Sequence, residues 1–551
     1  MSAGGDRPAY ASGTSQVPLL GDTVGVNLDR AVAAYPDSDA LVDCPTGRGW
    51  TYATFGDAVD TVARGLLDLG IDKGDRVAIW APNCPEWTFV QYAAAKIGAI
   101  LVNINPAYRT HELGFVLKQA GVRLLIAAES FKGSDYRAMV GEVRTDCPGL
   151  EGAVFLGSEE WKELLSRGES VPMHRLHEAA AGLSADDPIN IQYTSGTTGF
   201  PKGATLSHHN ILNNGFFVGE LCGYTPADRV CIPVPFYHCF GMVMGNLGCT
   251  SHAACMVIPA PGFDPRATLA AVADERCTSL YGVPTMFIAE LGHPDFASYD
   301  LSSLRTGIMA GSPCPVEVMK RVVADMGMTE VTICYGMTET SPVSTQTRVD
   351  DEVERRVSTV GQVHPHVEVK IVDGAGLTVA RDIPGELCTR GYSVMLGYWD
   401  QPARTAEVID AARWMHTGDL AVMDEAGYVN IAGRIKDLVI RGGENVYPRE
   451  VEEFLYAHPD IADVQVIGVP DERFGEELMA WVRLREGASA LSADDIRRYC
   501  AGRLAHYKIP RYVHVVTEFP MTVTGKVRKV AMREESVQIL GLHDAAVVRN
   551  A

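Results

Sequence analysis

Strand-like and helix-like segments alternate along the first quarter of the chain, and this pattern most constrains the fold. Apolar residues recur at helical spacing over residues 55–69. Thr54 is the predicted cap of that helix, with Asp57 three residues on, and Gly70 is its predicted stop. The segments that follow are predicted as strand, helix and strand, at residues 76–80, 85–97 and 99–103. Such alternation predicts βαβ units around a largely parallel sheet.

Length and charge exclude several classes of protein. A chain of 551 residues exceeds one hydrophobic core, so two or more domains are expected. Its net charge of −21 argues against broad nucleic-acid binding and against adhesion to anionic membranes. The 13 cysteines follow no regular framework, and the first 20 residues, expected to be loose, show no secretion signal, so a cytoplasmic location is expected. Residues 236–261 are apolar but interrupted, which favours buried helix and strand over a membrane span.

The segment 193–203, YTSGTTGFPKG, is predicted to bind phosphate. Its glycines permit close approach of a ligand to the backbone, and its hydroxyls and one lysine offer donors to anionic oxygens. An apolar run, residues 188–193, precedes it as a predicted strand. A solvent-exposed spacer loop is the alternative interpretation. The GxxxxGK[ST] and GxGxxG patterns are absent, so neither a P-loop kinase nor a Rossmann dehydrogenase is indicated.

Two further predicted strands, residues 306–310 and 331–334, end in polar segments. Ligands bind at the carboxyl ends of parallel strands, so these segments are candidates for the same site. Tyr335 offers a ring face to a purine, Thr338 a donor to a phosphate oxygen, and Glu339 a ligand for Mg²⁺. The alternative is a turn with a solvated glutamate.

Histidine occurs in two notable contexts between these segments. His238 lies among aromatic residues in PVPFYHCFG, which suits the wall and mouth of an apolar pocket, although a structural histidine is the alternative. Cys249, His252 and Cys255 form a CxxHxxC pattern that would need a fourth metal ligand, for example Cys239. Buried, inert cysteines are the favoured interpretation there.

Taken in order, these motifs resemble those of the adenylate-forming (AMP-binding) enzyme superfamily, and the resemblance covers roughly residues 25–540. Residues 308–313, 391–399 and 440–448 look most like fatty acyl-CoA synthetases, particularly the medium-chain type. The resemblance implies ATP-dependent activation of a fatty acid to an acyl-adenylate. Transfer to CoA would follow, giving acyl-CoA, AMP and pyrophosphate, with Mg²⁺ as cofactor. It implies small-molecule partners only, with no nucleic acid and no integral membrane segment.

The resemblance also implies roles for individual residues. The implied ATP-binding residues are Thr194, Ser195, Gly196, Thr197, Thr198, Gly199, Lys202, Gly311, Ser312, Pro313, Tyr335, Gly336, Thr338, Asp419, Arg434 and Lys526. The implied catalytic residues are Lys202, His238, Thr338, Glu339 and Lys526, and Glu339 would hold Mg²⁺. The implied acyl pocket contains His238, Phe240, Val283, Met337 and Thr340. Gly442 and Gly443 would contact CoA, and Lys436 would be the hinge.

The implied fold class is α/β and multidomain. Residues 1–435 form a large N-terminal AMP-binding (adenylation) domain of mixed and parallel sheets with helices and a β-rich subdomain. Residues 436–551 form a small, mobile α+β domain. Within it, residues 461–469 and 477–484 are predicted strands, and Ser492 is a predicted helix cap.

Several alternatives stay open from sequence. The apolar residues of the predicted pocket suit an aryl or other specialised acid as well as an acyl tail. The acceptor is either free CoA or the phosphopantetheine of a carrier protein, and a catalytically inactive nucleotide-binding protein is a third alternative. Acyl chain length, pathway and oligomeric state are not determined, with a homodimer as one option.

Overall fold

A computed structural model describes residues 7–194, 201–312, 314–442, 444–471, 473–488, 491–522 and 526–542. The strands, numbered in chain order, are β1 (Tyr10–Ser12), β2 (Asp39–Asp43), β3 (Arg48–Thr51), β4 (Arg76–Trp80), β5 (Ile100–Asn103), β6 (Leu124–Ala127), β7 (Ser130–Phe131), β8 (Ser134–Asp135), β9 (Gly152–Phe155), β10 (Pro188–Thr194), β11 (Lys202–Ser207), β12 (Arg229–Cys231), β13 (Cys255–Ile258), β14 (Ser279–Gly282), β15 (Thr306–Ala310), β16 (Glu330–Gly336), β17 (Val343–Gln346), β18 (Gln362–Val363), β19 (Val367–Val372), β20 (Gly385–Gly391), β21 (Gly397–Tyr398), β22 (Met415–Met423), β23 (Val429–Arg434), β24 (Val439–Arg441), β25 (Glu444–Val446), β26 (Ile461–Asp471), β27 (Gly475–Leu484) and β28 (Tyr512–Val515).

The α-helices are α1 (Val24–Ala34), α2 (Tyr52–Asp68), α3 (Pro85–Ile97), α4 (Thr110–Ala120), α5 (Tyr136–Arg144), α6 (Glu159–Ser170), α7 (Met173–Ala181), α8 (His208–Leu221), α9 (Gly248–Ser251), α10 (Pro265–Asp274), α11 (Pro284–Leu291), α12 (Val316–Asp325), α13 (Val353–Ser358), α14 (Pro402–Val408), α15 (Pro448–Tyr456), α16 (Ala493–Cys500) and α17 (Lys529–Leu540). A π-helix, Phe240–Leu247, precedes α9. The described helices are all too short or too polar to cross a lipid bilayer.

Two sheets of mixed direction build the large domain. The first has the order β21-β11-β10-β5-β4-β6-β9, with parallel pairing from β10 to β9. The second has the order β18-β17-β16-β15-β14-β12-β13-β2-β3 and is parallel from β16 to β2. The predicted βαβ units and α/β class are therefore confirmed, and β4 and α3 have the predicted bounds.

Helix α3 shows why the two sheets share one core. Every α3 residue except Glu86 is buried, as expected for a helix enclosed on all sides. Its one buried lysine, Lys96, has Nζ 2.5 Å from both Asp29 Oδ1 and Asp60 Oδ1. Since a buried charge requires partners, these two carboxylates make a lysine tolerable at this position.

Helix α2 corrects one detail of the prediction. Its cap is Thr51, which accepts a hydrogen bond from the backbone of Thr54, and the Thr54 side chain accepts one from the Thr51 N–H. The predicted pair of Thr54 and Asp57 was therefore wrong by one turn. Strand β3 runs directly into the helix, which fixes the start at Tyr52.

The β-rich subdomain is an antiparallel sheet of order β1-β19-β20-β22-β23. Strand β1 pairs with β19, with Tyr10 opposite Lys370, so the expectation that the first 20 residues are loose was wrong for this segment. This long-range pairing orders the segment, and its partner lies about 360 residues away in the chain.

The small domain has a separate sheet of order β25-β24-β27-β26, with β28 beside β27. Its own core packs α15 and α16 against β26 and β27, with Leu455, Val464 and Ile496 fully buried. Ser492 caps α16 through a capping box with Asp495, as predicted. The chain leaves the subdomain sheet at Arg434, the last residue of β23, and enters this new sheet at Val439, the first residue of β24.

Candidate active site

The predicted phosphate loop joins two paired strands. Thr194 ends β10 and Lys202 begins β11, and the two residues face each other in the ladder. Ser195, Gly196, Thr197, Thr198 and Gly199 lie outside the described residues, as do Pro313 and Gly443. The hairpin places both ends of the loop at the carboxyl end of β10, which is the edge where a parallel sheet binds ligands.

Glu339 is the acidic centre of this edge. It lies in a 3₁₀ turn, Thr338–Thr340, just beyond the end of β16, and is 5% exposed. Its Oε1 accepts a hydrogen bond from the Tyr398 hydroxyl at 2.8 Å and from the Thr194 hydroxyl at 3.4 Å. Lys202 Nζ lies 5.0 Å from the centre of the Tyr398 ring. The structure thus brings the predicted residues of the phosphate loop and the YGxTE segment together through Tyr398.

Tyr398 was missed by the sequence analysis as a site residue. It is buried at the end of β21, an edge strand paired with β11. The segment LGYWD carries no phosphate-binding pattern that would have pointed to Glu339. Only the pairing of β21 with β11 places the hydroxyl there.

Asp419 forms a second acidic position. It lies at a register shift in β22, where one residue of β20 stands opposite three of β22. Its Oδ2 accepts a hydrogen bond from the Tyr335 hydroxyl at 2.6 Å, and Arg434 Nε lies 3.2 Å from its Oδ1. Burial raises the pKa of the Asp419 carboxyl, and the charge of Arg434 opposes that shift. A neutral donor and a cation therefore orient both carboxylate oxygens.

His238 is held as a neutral imidazole. Its Nδ1 accepts a hydrogen bond from the Phe240 backbone N–H at 3.1 Å, so Nε2 carries the ring proton. Burial and the nearby charge of Lys526 lower the pKa of His238 to about 3. At neutral pH the ring therefore serves as a hydrogen-bond donor without charge. The next residue, Cys239, lies with Sγ 3.8 Å from Thr338 Oγ1, which links this segment to the strand-end turn.

Lys526 reaches the same site from the small domain. Its loop is closed by a hydrogen bond from the Thr522 N–H to the Lys526 carbonyl at 2.7 Å and by one from the Lys526 N–H to Thr522 Oγ1 at 3.0 Å. Burial lowers the pKa of Lys526, and Arg434 lowers it further, while Cys239, Asp419 and Glu339 oppose the shift. The amine is therefore enclosed among the acidic residues of the large domain.

Gly311 shows how closely the lysine approaches. An added Cβ would lie 3.5 Å from Lys526 Cε and 3.1 Å from Val283 Cγ1, and the residue has φ +92°. Because this conformation disfavours side chains, glycine lets the chain turn at the end of β15 beneath the lysine. Ser312, the next residue, is half-buried at the same strand end.

The predicted acyl-pocket residues lie beside this centre. Phe240 is buried at the start of the π-helix and stacks on Tyr281 with ring centres 5.6 Å apart. Thr340 is fully buried and donates to the backbone carbonyls next to it. Val283 is buried and Met337 is half-buried against the same core. The apolar wall is thus contiguous with the site that holds Glu339 and Lys526.

Gly442 and Lys436 lie elsewhere on the small domain. Gly442 occupies the turn between β24 and β25 with φ +60°, and its N–H donates to the Phe474 carbonyl at 2.8 Å. Lys436 is exposed in a short 3₁₀ turn, Ile435–Asp437, between the subdomain sheet and the small-domain sheet. Among the described residues, Gly442 contacts Phe474 of the small domain, and Lys436 follows Arg434, the partner of Asp419, by two positions.

A basic cavity of about 740 Å³ adjoins Gly442 and was missed by the sequence analysis. Arg441 and Arg473 lie over the Phe474 ring, at 4.7 and 4.9 Å from its centre. Arg441 also pairs with Glu477 at 2.6 Å. The other charged and aromatic residues around it are Asp471, Arg497, His506, Arg511 and Tyr512. These residues are scattered over 70 positions, so no local pattern could have revealed them.

The CxxHxxC segment packs as part of the ordinary hydrophobic core. The Nδ1 of His252 lies 2.9 Å from the Gly248 carbonyl and its Nε2 lies 3.1 Å from Glu220 Oε1, so both ring nitrogens have partners. Cys249 and Cys255 are buried. This arrangement agrees with the interpretation as inert cysteines.

Comparison with known proteins shows the family. The model of the AMP-binding enzyme family matches residues 28–399, and the model of the AMP-binding enzyme C-terminal domain matches residues 450–526. The chain belongs to the AMP-binding enzyme family. The predicted superfamily is therefore confirmed, and AMP-binding enzymes use ATP and CoA as substrates.

Named relatives of this AMP-binding enzyme span nearly its whole length. Acyl-CoA synthetase YngI of Bacillus subtilis is 49% identical over 95% of this chain and 99% of its own. The mitochondrial medium-chain acyl-CoA ligase ACSF2 of Danio rerio is 45% identical over 97% of this chain and 91% of its own. The predicted enzyme class, acid–thiol ligase, is confirmed by these similarities.

Solved structures agree with the fold of this AMP-binding enzyme. The anthranilate CoA ligase AuaEII in complex with anthranoyl-AMP has a TM-score of 0.85 at 27% identity, covering 94% of this chain and 98% of its own. ATP-bound MatB of Rhodopseudomonas palustris has a TM-score of 0.81 at 30% identity, covering 94% and 100%. The predicted fold class is confirmed.

Proposed function

We propose that this AMP-binding enzyme is an AMP-forming acyl-CoA synthetase that activates a medium-chain fatty acid with ATP and transfers the acyl group to CoA. The observation that carries the proposal is the approach of Lys526 to the strand ends, where its Cε would lie 3.5 Å from a Cβ on Gly311 and its charge acts on Glu339 and Asp419. The 45% identity to a medium-chain acyl-CoA ligase supports the choice of acid.

In the first half-reaction a carboxylate oxygen attacks the α-phosphorus of ATP in line, and pyrophosphate leaves. The protein's part is positioning and charge neutralisation, because phosphoryl chemistry of this kind needs little covalent help. Thr194, Lys202 and Thr338 face the phosphates from the strand ends. Lys526 stabilises the charge on the five-coordinate phosphorus, and His238 donates from Nε2 toward the carboxylate without adding charge.

Glu339 fits the role of Mg²⁺ ligand. Within the described ranges its hydrogen-bond donors are two neutral hydroxyls, and no ion pair meets its charge. A nearly buried carboxylate that makes no ion pair, although the charge of Lys526 acts on the same site, suits a divalent cation. When bound, Mg²⁺ would supply positive charge at the phosphate oxygens of ATP.

At the ribose, Asp419 is positioned to accept from both hydroxyls, and Tyr335 offers its ring to the adenine. The Asp419 carboxylate is already oriented by the Tyr335 hydroxyl and by Arg434, so little reorganisation is needed on binding. Gly336 and Ser312 line the strand ends beside it.

For the second half-reaction we infer that residues 436–551, the small domain, turn about Lys436. This rotation withdraws Lys526 and brings the Gly442–Gly443 turn to the acyl-adenylate, so that the CoA thiol attacks the acyl carbon and AMP leaves. Lys436 lies where the chain passes from one sheet to the other, which supports a pivot there.

Free CoA is the proposed acceptor because of the basic cavity beside Gly442. CoA carries a diphosphate, a 3′-phosphate and an adenine, which suit arginines packed on Phe474. The arm of a carrier protein has a single phosphodiester and no adenine. Arg473→Ala should therefore raise the KM for CoA and leave the pyrophosphate-release step unchanged.

The test is AMP and acyl-CoA formation across a panel of saturated and aryl acids with ATP, Mg²⁺ and CoA. A maximum on acids of middle length is expected, because the chain is 45% identical to a medium-chain acyl-CoA ligase. A maximum on aryl acids would replace the fatty-acid assignment. Acid-dependent pyrophosphate release without a thioester would move the acceptor to a carrier protein, and no acid-dependent turnover would contradict the proposal.

A further inference from the structure

A cluster of three metal-ligating side chains lies in the β-rich subdomain, apart from the catalytic centre. Cys388 of β20 faces His416 of β22 in the ladder, and Glu386 precedes Cys388 by two residues on the same face. Their ligand atoms all lie within 4.8 Å of one another. Among the described residues this is the one group of three such side chains that meets that distance.

Two of the distances within the cluster are close to those of a tetrahedral site. Cys388 Sγ lies 3.5 Å from His416 Nδ1, and Glu386 Oε2 lies 2.9 Å from the same nitrogen. Zinc bonds of about 2.0–2.1 Å to nitrogen and about 2.3 Å to sulfur put those two ligand atoms about 3.5 Å apart. The carboxylate needs to move outward by only a few tenths of an ångström for a zinc–oxygen bond of about 2.0–2.2 Å.

We propose that Glu386 Oε2, Cys388 Sγ and His416 Nδ1 bind a borderline-soft divalent cation of the zinc type. Thiolate, imidazole and carboxylate together select such a metal over Mg²⁺, which prefers oxygen ligands only. The thiolate and carboxylate charges balance a divalent cation. Since His416 and Glu386 are partly exposed, water reaches the fourth coordination position.

A carboxylate also lies beyond the histidine. Asp410 Oδ2 lies 4.0 Å from His416 Nε2, and Asp410 Oδ1 accepts from the Trp414 N–H at 2.8 Å. Metal-ligating histidines commonly point their second ring nitrogen toward such a group. Here the contact is longer than a hydrogen bond, so Asp410 places a negative charge near Nε2 without fixing the tautomer of the ring.

The cluster supports the turn that presents Asp419. Glu386 Oε1 accepts from the Gly418 N–H at 3.1 Å, and the Thr417 hydroxyl donates to the Leu387 carbonyl at 2.7 Å. A metal on Oε2 leaves the Oε1 hydrogen bond in place and joins β20 to β22 at the base of the turn. Occupancy therefore stiffens this part of the subdomain. An effect of the metal on ATP binding would rest on the proposed role of Asp419. The binding of the metal itself does not rest on that role.

Binding releases one proton from the Cys388 thiol, because the ligand of the metal is the thiolate.

The experiment is a Co²⁺ titration of the full-length protein after removal of metals by chelation and dialysis. Thiolate ligation gives a charge-transfer band in the near ultraviolet, saturating at one Co²⁺ per chain and reversed by Zn²⁺ but not by excess Mg²⁺. Cys388→Ser should abolish the band. The matched controls Cys44→Ser and Cys255→Ser should retain it, which separates this site from the CxxHxxC segment.

Two further variants keep the test decisive if the buried Cys388→Ser chain folds poorly. Glu386→Gln and His416→Gln change the two partly exposed residues of the cluster. Each should weaken Co²⁺ binding tenfold or more. No charge-transfer band in the wild-type protein, or a band that survives Cys388→Ser, would overturn the proposal. Zn²⁺ should also raise the thermal unfolding temperature of the wild-type protein and not that of Cys388→Ser.

Discussion

The two halves of the candidate active site are built differently. In the large domain, Glu339 and Asp419 are each oriented by groups from other strands before any ligand is present. In the small domain, Lys526 stands on a loop closed through Thr522, and Gly442 on a separate turn against Phe474. One half is fixed by sheet pairing and the other is carried by a domain with its own core.

This difference gives each half its task. Preorganised carboxylates and donors cost little reorganisation when charge develops on the phosphates. A lysine on a separate domain can be present in one step and withdrawn in the next.

Lys526→Ala should lower the rate of acyl-adenylate formation about 10²–10³-fold, because it removes the charge aimed at the reacting phosphorus. Thiolysis of supplied acyl-adenylate should be largely unchanged. Pyrophosphate release and thioester formation measure the two halves separately, with the exposed Lys320→Ala as control. Equal losses in both half-reactions would contradict the division of labour.

Lys436→Pro should slow thioester formation about tenfold or more while changing first-turnover pyrophosphate release much less. Proline fixes φ and so restricts rotation between the sheets. Lys436→Ala is the control, since it removes the side chain and keeps the backbone free. Thioester formation at the wild-type rate in the proline variant would argue against a pivot at this residue.

Tyr398→Phe should lower adenylation several-fold, since it removes one hydrogen bond to a buried carboxylate, worth about 1–2 kcal/mol. This variant should also need a higher Mg²⁺ concentration for activity, because Glu339 loses its best-placed hydrogen-bond donor. Tyr10→Phe is the matched control, as Tyr10 donates to Glu368 at 2.5 Å in the subdomain. Identical kinetics for Tyr398→Phe and Tyr10→Phe would contradict a role for Tyr398 in the active site.

Glu290→Gln should stabilise the large domain at neutral pH and leave turnover unchanged. Neither oxygen of this fully buried carboxyl has a hydrogen-bond partner among the described residues, and burial raises its pKa to about 8. The folded protein keeps the proton that the unfolded chain loses above about pH 4.5. The free energy of unfolding of the wild type therefore falls by about 3 kcal/mol between pH 4.5 and pH 7 because of this group. Below pH 4.5 the group does not lower it.

Thermal unfolding at pH 7.5 and pH 5 measures this difference. The unfolding temperature of Glu290→Gln should exceed that of the wild type clearly at pH 7.5 and only slightly at pH 5. The exposed Glu159→Gln should show no such dependence. A pH-independent shift would mean that packing, and not the carboxyl proton, limits stability at this position.

Local patterns predicted the regular elements well. The bounds of α3 and β4 follow from proline, glycine and apolar spacing alone. The start of α2 was misplaced by one turn, because Thr51 and Thr54 both suit a cap and only the preceding strand β3 decides between them. For β1, nothing near Tyr10 in sequence shows its distant partner β19.

By itself the sequence determined the order of motifs, the family that they resemble and the residues whose chemistry suits ATP, acid and thiol. The spacing of residues within one segment is enough to indicate this chemistry, because the glycines and hydroxyls of one loop act on the same ligand. Tertiary structure alone placed Tyr398 on Glu339, Tyr335 on Asp419, and Arg441 on Phe474. These groups come from segments far apart in the chain, so their contact depends on sheet pairing and domain packing, which no local pattern encodes.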